Sequence, residues 1–218
     1  VELWAEANGV EFTEVETAPD AVVGSQDAAV SAIMGSGADV VVLAVGPAEA
    51  AAIVGISAAS GFEGQFLGSV PTWNVALLDS PAGPALEAYY TNVSPWEGID
   101  GTSTAHDKIR ESLGGEPPAN DSYIFGWVWS YPIKAALEAA AANGDLTREG
   151  VRSVVDGLEV DYEGALPSAT FGGDANEDAV RTAVINRPDP DGTLGLSSIE
   201  TEYTGPTADA HEYTSACS

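Results

Sequence analysis

The segment GADVVVLAVGPAEAAAIVGISAASGFEGQFLGS, residues 37–69, has the pattern of a strand, a helix and a second strand. Its apolar run ADVVVLAVG is typical of a parallel strand that is buried on both faces. PAEAAAIVGISAASG then predicts a helix with Pro47 near its first turn, and GQFLG predicts the next short strand. Because a strand–helix–strand order implies a right-handed crossover, the segment predicts an α/β protein with a parallel sheet.

The residues before this segment also alternate between helix and strand patterns. Val1–Ala7 has the pattern of a helix that ends at Asn8-Gly9, and Val10–Val15 alternates apolar and polar residues as a strand does. Ser25 is a plausible N-cap for the next helix. Because Val1 falls inside an amphipathic pattern with no cap before it, we expect the N-terminal part of the fold to lie upstream of this sequence.

The pattern changes near residue 81. A predicted strand at Ala88–Val93 lies between Pro-rich and Gly-rich stretches, which suits a crossing between domains. Three helices are predicted after it, in TAHDKIRESLGG, NDSYIFGWVWSYPIKAALEAAAANG and LTREGVRSVVDGL. We expect a kink or break at Pro132 in the second helix and a Thr147 cap on the third. Loops and strands follow from Asp161, and the tail PTADAHEYTSACS is expected to be mobile.

The composition limits the classes of partner. Of 218 residues, 44% are hydrophobic, which is enough for a sizeable core. The formal net charge of −27 repels phosphate backbones and anionic lipids, so the sequence predicts no nucleic-acid partner. Apolar runs are too short for a membrane helix, so no direct membrane insertion of this segment is expected.

Signatures of catalysis and of metal binding are missing from the sequence. The single cysteine, Cys217, allows no intrachain disulfide and is predicted to be inert. His106 and His211 lie far apart in polar surroundings and are predicted to be solvated. No nucleophile elbow, phosphate-binding loop or zinc-protease motif is present. We therefore predict no catalytic residue, no metal site and no cofactor.

Two loops are candidates for binding a ligand, because open parallel sheets bind ligands outside the carboxyl ends of their strands. AVGPAEA follows the first buried strand, and GSVPTWN follows the second. Trp73 would offer a flat apolar face with one donor, or it could close the core beneath the loop. The predicted ligand-binding residues of these loops are Gly46, Pro47, Ser69, Val70, Pro71, Thr72 and Trp73.

Aromatic residues cluster at the start of the long predicted helix. Tyr123 and Trp127 are four residues apart and share one face, and Phe125 and Trp129 share another. One face must pack on its own lobe, and the other could reach a ligand cleft. Tyr123 and Trp127 complete the predicted ligand-binding set, with core packing as the alternative for each.

The segment 37–69 resembles the second lobe of type I periplasmic solute-binding proteins, and more narrowly the branched-chain amino acid (Leu/Ile/Val) receptors of ABC transporters. YIFGWVWSYPIKAALEAA is similar to the long helix of that family, although Tyr131-Pro132-Ile133 stands where the family has Tyr-Asp-Ala. LTREGVRSVVDGL and YEGALPSATFGGDAN are similar to its next helix and last return crossing. The resemblance covers roughly Val1–Gly205.

The resemblance implies two parallel-sheet lobes joined by hinge crossings, with the ligand held between them. Residues 1–91 would form most of lobe two, 92–166 the later part of lobe one, 167–205 the return to lobe two, and 206–218 a mobile tail. The family's role implies an extracytoplasmic receptor, in the periplasm or as a cell-surface lipoprotein. It would deliver a small-molecule ligand to an ABC transporter permease by lobe closure.

One departure from the family concerns the ligand. Amino acid receptors of this family place an acidic side chain just after the strand-ending glycine, where it pairs with the ligand ammonium. That place falls on Val70 here, and the next acid is Asp79. Because an unpartnered buried ammonium is costly, we expect an apolar, aromatic or carboxylate-bearing ligand instead of an α-amino acid. A ligand-sensing domain with the same fold, or an α/β enzyme with dispersed catalytic groups, are the alternatives.

Overall fold

A computed structural model describes residues 1–214, which form two compact units. The first unit comprises Val1–Ser94 and Val184–Thr201. The second comprises Pro95–Ala183 and the residues from Glu202 onwards. Cys217, predicted to be inert, lies outside the described residues.

The helices and strands follow one another in mixed α/β order. In chain order they are α1 (Glu2–Asn8), α2 (Asp20–Val23), α3 (Asp27–Ser36), β1 (Val40–Val42), α4 (Pro47–Ala59), β2 (Gln65–Ser69), α5 (Gly83–Tyr89), β3 (Tyr90–Ser94), α6 (Thr104–Ser112), α7 (Ser122–Ala142), α8 (Arg148–Ser153), β4 (Glu159–Val160), β5 (Ala169–Thr170), α9 (Ala175–Asp178), β6 (Ala183–Pro188), β7 (Leu196–Tyr203) and α10 (Pro206–Ala210). Short 3₁₀ turns follow β2, at Val70–Thr72 and Val75–Leu77, and a third precedes β7.

One five-stranded sheet organises the first unit, in the order β1-β2-β3-β6-β7. β1 pairs with β2 in parallel, β2 pairs with β3 in parallel, and β3 pairs with β6 antiparallel. The strand–helix–strand prediction for residues 37–69 is thereby confirmed as β1, α4 and β2. Because parallel strands end at the same edge of a sheet, the loops after β1 and β2 lie side by side.

Helix α4 packs its mostly apolar inward face against the core of this unit. Its buried residues Ala50, Ile53, Val54 and Ser57 recur at intervals of three and four, as the inward face of a helix requires. Pro47 begins the helix, where its missing N–H removes no helical hydrogen bond. The core beneath α4 also contains the fully buried rings and side chains of β2 and α5, including Phe66 and Leu86.

The prediction that the first strand is buried on both faces is wrong. Among the strands that the structure describes, β1 lies at the edge of the sheet, and the side chains of Val40 and Val42 are 51% and 49% exposed. The strand predicted at Val10–Val15 is not formed either, and its apolar residues are exposed. A strand needs a hydrogen-bonded neighbour, and this segment has none in the part of the chain that the structure describes.

The second unit is built around the 21-residue helix α7. Of the kink or break predicted at Pro132, the break does not occur, because α7 continues through this residue and buries Val128 before it and Ala136 after it. The Thr147 cap is confirmed, since its Oγ1 accepts the N–H of Gly150 at 3.2 Å at the start of α8. β4 and β5 form a two-stranded antiparallel sheet.

The prediction for His106 is also wrong, because it was expected in solvent and its side chain is 1% exposed. Its Nδ1 lies 2.7 Å from Ser103 Oγ, and its Nε2 lies 3.2 Å from the carbonyl oxygen of Glu97. The ring fits because Gly101 has no side chain; a Cβ there would lie 2.6 Å from Nε2. His106 is therefore a hydrogen-bonded core residue of the second unit.

Candidate functional site

A pocket of about 410 Å³ lies in the first unit at the carboxyl ends of β1 and β2. The loop after β1, the end of β2, the first turn of α4 and a segment upstream of α2 form its walls. The lining residues are Thr17, Ala18, Pro19, Ala44, Val45, Gly46, Glu49, Ser69 and Pro71. This is where open parallel sheets bind their ligands.

The pocket brings together three of the residues singled out from the sequence. Gly46 comes from the loop after β1, and Ser69 and Pro71 come from the loop after β2. Pro47 is the first residue of α4 and adjoins Gly46. Val70 is half-buried, and it is not among the lining residues.

The loop GSVPTWN is folded by a hydrogen-bonded turn around Thr72. Thr72 Oγ1 donates to the carbonyl oxygen of Ser69 at 2.6 Å and accepts the N–H of Ser69 at 2.8 Å. Because its one hydrogen is used in this way, the hydroxyl of Tyr90, 2.6 Å away, acts as the donor to Thr72 Oγ1. The buried Thr72 side chain therefore fixes the conformation of the loop and holds Ser69 at the pocket.

The absence of a side chain at Gly68 leaves the space that this turn needs. A Cβ at Gly68 would overlap the hydroxyls of both Tyr90 and Thr72. Asn92, opposite Gly68 on β3, adds a hydrogen bond from its Nδ2 to the carbonyl oxygen of Ser69 at 3.2 Å. The conformation of the pocket loop thus depends on a glycine that the sequence showed only as the end of a strand.

Trp73 does not face the pocket. Its ring is 3% exposed and stacks on Tyr90 with ring centroids 5.7 Å apart. Its Nε1–H donates to the carbonyl oxygen of Leu194 at 3.1 Å, which satisfies the indole donor inside the core. The geometry agrees with the alternative in which Trp73 closes the core beneath the loop, and in this conformation its ring offers no face to a ligand.

Gln26, a side chain not selected from the sequence, holds the pocket wall at residues 17–20. Gln26 is 1% exposed; its Nε2 donates to the carbonyl oxygen of Ala18 at 2.9 Å and to Asp20 Oδ1 at 2.7 Å. Its Oε1 accepts the hydroxyl of Thr17 at 2.5 Å. Gln26, and not Ser25, is the N-cap of α3. No periodic pattern marked it, because its partners lie in an irregular segment.

Replacing Gln26 with leucine is expected to lower the free energy of unfolding by about 1–3 kcal/mol, because buried polar partners lose their hydrogen bonds. Urea unfolding followed by circular dichroism measures this loss. Asp27→Ala, at the exposed neighbouring position, is the control and is expected to change stability by about 0.5 kcal/mol or less. Equal stability of the leucine variant and the parent would show that Gln26 does not hold the wall.

In the second unit, Tyr123 and Trp127 lie on one face of α7, as predicted. Their rings are stacked with centroids 6.4 Å apart, Tyr123 is exposed and Trp127 is half-buried. Trp127 Nε1–H donates to Tyr131 Oη at 3.2 Å, and Tyr131 donates to Glu163 Oε2 at 2.9 Å. Lys108 Nζ lies 2.5 Å from Glu163 Oε1. The indole ring of Trp127 is thereby held in a defined orientation.

Burial and hydrogen bonds shift the pKa values of three groups in this unit. Burial raises the pKa of the Tyr131 hydroxyl, and the neighbouring Glu163 carboxylate raises it further. The hydrogen bond from Lys108 lowers the pKa of Glu163. Asp121, at the start of α7, has its pKa raised to about 6 because burial disfavours its charged form.

Residues 1–214 contain no group of three or more His, Cys, Asp or Glu side chains that could hold a metal ion. Over the same residues, no helix is long and apolar enough to span a membrane. The pocket volume of about 410 Å³ falls within the range of small-molecule sites, and most of its lining residues are apolar.

Comparisons with known proteins agree with this class of small-molecule binder. The periplasmic binding protein family model matches residues 1–193. The chain therefore belongs to the periplasmic binding protein family, and the predicted type I fold is confirmed. No curated protein sequence is significantly similar to the chain.

Solved structures share the fold. A fatty acid ABC transporter substrate-binding protein from Thermomonospora curvata superposes with a TM-score of 0.79 and 25% identity, covering 97% of this chain and 54% of its own. A branched-chain amino acid ABC transporter protein from Thermus thermophilus, with bound valine, superposes with a TM-score of 0.64 and 13% identity, covering 95% of this chain and 56% of its own. A leucine binding protein from Thermotoga maritima superposes with a TM-score of 0.56 and 17% identity, covering 82% of this chain and 48% of its own. The chain thus spans about half the length of these relatives.

Proposed function

We propose that this chain is part of an extracytoplasmic receptor that binds a small organic ligand and delivers it to the permease of an ABC importer. The observation that carries the proposal is the pocket at the carboxyl ends of β1 and β2, in a chain whose family consists of binding proteins. Delivery by closure of two lobes around the ligand is what the family resemblance implies. The proposal includes no catalytic step and no cofactor.

The ligand is proposed to be an apolar molecule with a carboxylate, and not an ordinary α-amino acid. Val70 stands where amino acid receptors of the family place an acid, so an ammonium would lack that partner. The carboxylate that does line the pocket, Glu49, lies on α4 and already accepts the N–H of Asp20. Most of the lining is apolar, with Ala18, Pro19, Ala44, Val45 and Pro71 on the walls. The relative from Thermomonospora curvata, 25% identical, is described as a fatty acid transporter protein, which supports the same ligand class.

The proposed contacts are the residues predicted from the sequence. In the first unit, Gly46, Pro47, Ser69 and Pro71 would contact the ligand directly, while Val70, Thr72 and Trp73 support the loop. The stacked rings of Tyr123 and Trp127 in the second unit would add flat apolar contact area.

Calorimetry on the full-length receptor tests the proposal with octanoate, leucine and valine as probes. We expect octanoate to bind and both amino acids to bind at least tenfold more weakly, which is a difference of about 1.4 kcal/mol or more. A pocket-filling variant, Ala44→Phe, should abolish binding. Ala59→Phe, at the exposed far end of α4, is the matched control and should leave it intact. Tight binding of leucine or valine would overturn the proposed ligand class.

A further inference from the structure

Glu49 places a carboxylate in the wall of the pocket. It lies in the first turn of α4 and is half-buried. Its Oε1 accepts the N–H of Asp20 at 3.2 Å, which connects it to the residue that follows the lining segment 17–19. Its Oε2 comes within 2.7 Å of the position that a Cβ on Gly46 would occupy. The hydrogen bond from Asp20 holds the carboxylate at the pocket surface, and the absence of a side chain at Gly46 leaves space for it beside the loop after β1.

The setting of Glu49 is unlike that of an ordinary acidic residue in a first helical turn. Such residues are common because the positive end of the helix dipole favours them. Glu149 occupies the corresponding turn of α8 and is exposed. Glu49 instead lines a cavity whose other walls are mostly apolar, and it forms no ion pair with any residue between 1 and 214.

We infer that Glu49 determines which end of the ligand enters this pocket. The inference rests on the proposed ligand class, an apolar molecule with one carboxylate. A ligand carboxylate within about 5 Å of Glu49 would be repelled at the effective dielectric of a half-buried site, which weakens its binding in the pocket by about tenfold or more.

The apolar end of the ligand therefore occupies the pocket, and its carboxylate lies away from Glu49. A dicarboxylate of the same length has no uncharged end to insert. Glu49 is thus a specificity residue that selects monocarboxylates against dicarboxylates by repulsion, while the apolar walls supply the affinity.

The test compares octanoate with octanedioate by calorimetry on the full-length receptor. The parent protein should prefer octanoate by roughly tenfold to a hundredfold. Glu49→Gln keeps an acceptor for the Asp20 N–H and removes the charge, so the preference should fall to threefold or less. Glu49→Asp keeps the charge and should retain the preference, and Glu149→Gln, which removes an equal charge outside the pocket, should leave it unchanged.

The outcomes separate the two proposals. Octanoate binding with the same preference in the parent and in Glu49→Gln would overturn the role of Glu49 and leave the proposed function standing. Absence of octanoate binding to the parent would overturn the ligand class, and with it this inference. A preference lost equally in Glu149→Gln would show a long-range effect of net charge and would also overturn the inference.

Discussion

Replacing Trp73 with alanine is expected to lower the free energy of unfolding by about 3–5 kcal/mol, the usual loss when a buried large aromatic side chain is truncated. The ring is 3% exposed and stacks on Tyr90, and its N–H is bonded to Leu194, 121 residues away along the chain. The truncation therefore opens a cavity and detaches the turn before β7 from the pocket loop. Urea unfolding followed by circular dichroism measures the loss.

Trp73→Phe is the matched variant, because it keeps an apolar ring and removes the indole donor. It should cost about 1–2 kcal/mol, mainly from the lost hydrogen bond to the carbonyl oxygen of Leu194. Weakened octanoate binding should follow the loss of stability in both variants. If Trp73→Ala abolished binding and left stability unchanged, the ring would act as a ligand contact, and its core placement would not explain its role.

Replacing Gly68 with alanine is expected to lower the free energy of unfolding by about 2–3 kcal/mol, as overpacking of a filled core does. The added methyl group would overlap the hydroxyls of Tyr90 and Thr72, so one of them must move and the turn at Ser69 loosens. Because Ser69 and Pro71 line the pocket, octanoate affinity should fall about tenfold.

Gly35→Ala is the control for the methyl group itself. Gly35 lies in α3 of the same unit, and a Cβ there meets nothing within 4 Å. Because alanine is the better helix former, this variant should gain about 0.5–1 kcal/mol. Thermal unfolding of the two variants side by side checks that Gly68→Ala lowers stability and that Gly35→Ala raises it. Equal stability of Gly68→Ala and the parent would contradict the packing around Thr72.

Much of the fold was predictable because its signals are local. The apolar run at residues 38–46, Pro47 at the start of α4 and the glycines that end each element specify a strand–helix–strand unit without reference to distant residues. The same holds for α7 and for the Thr147 cap, whose partner is three residues away. The position of the pocket also followed, because it depends on the order of the strands.

The errors arose where burial depends on a neighbour. An apolar run predicts a strand, but it does not say whether the strand is central or at an edge, and β1 proved to be at the edge. Val10–Val15 has a strand pattern, but a pattern forms no ladder without a partner. His106 was predicted to be solvated because its sequence neighbours are polar. The sequence gives no sign of the hydrogen bonds that its ring forms with Ser103 and Glu97.

The sequence alone was sufficient for the class of fold, the acidic surface and the two loops at the sheet edge, because periodicity, composition and strand order are properties of short segments. The three-dimensional arrangement was needed to show which side chains reach the pocket. Glu49 meets Asp20 across 29 residues, and Trp73 meets Leu194 across 121, so neither contact leaves a local trace in the sequence. Long-range packing determines that the ring of Trp73 is buried in the core and that the carboxylate of Glu49 lies in the pocket wall.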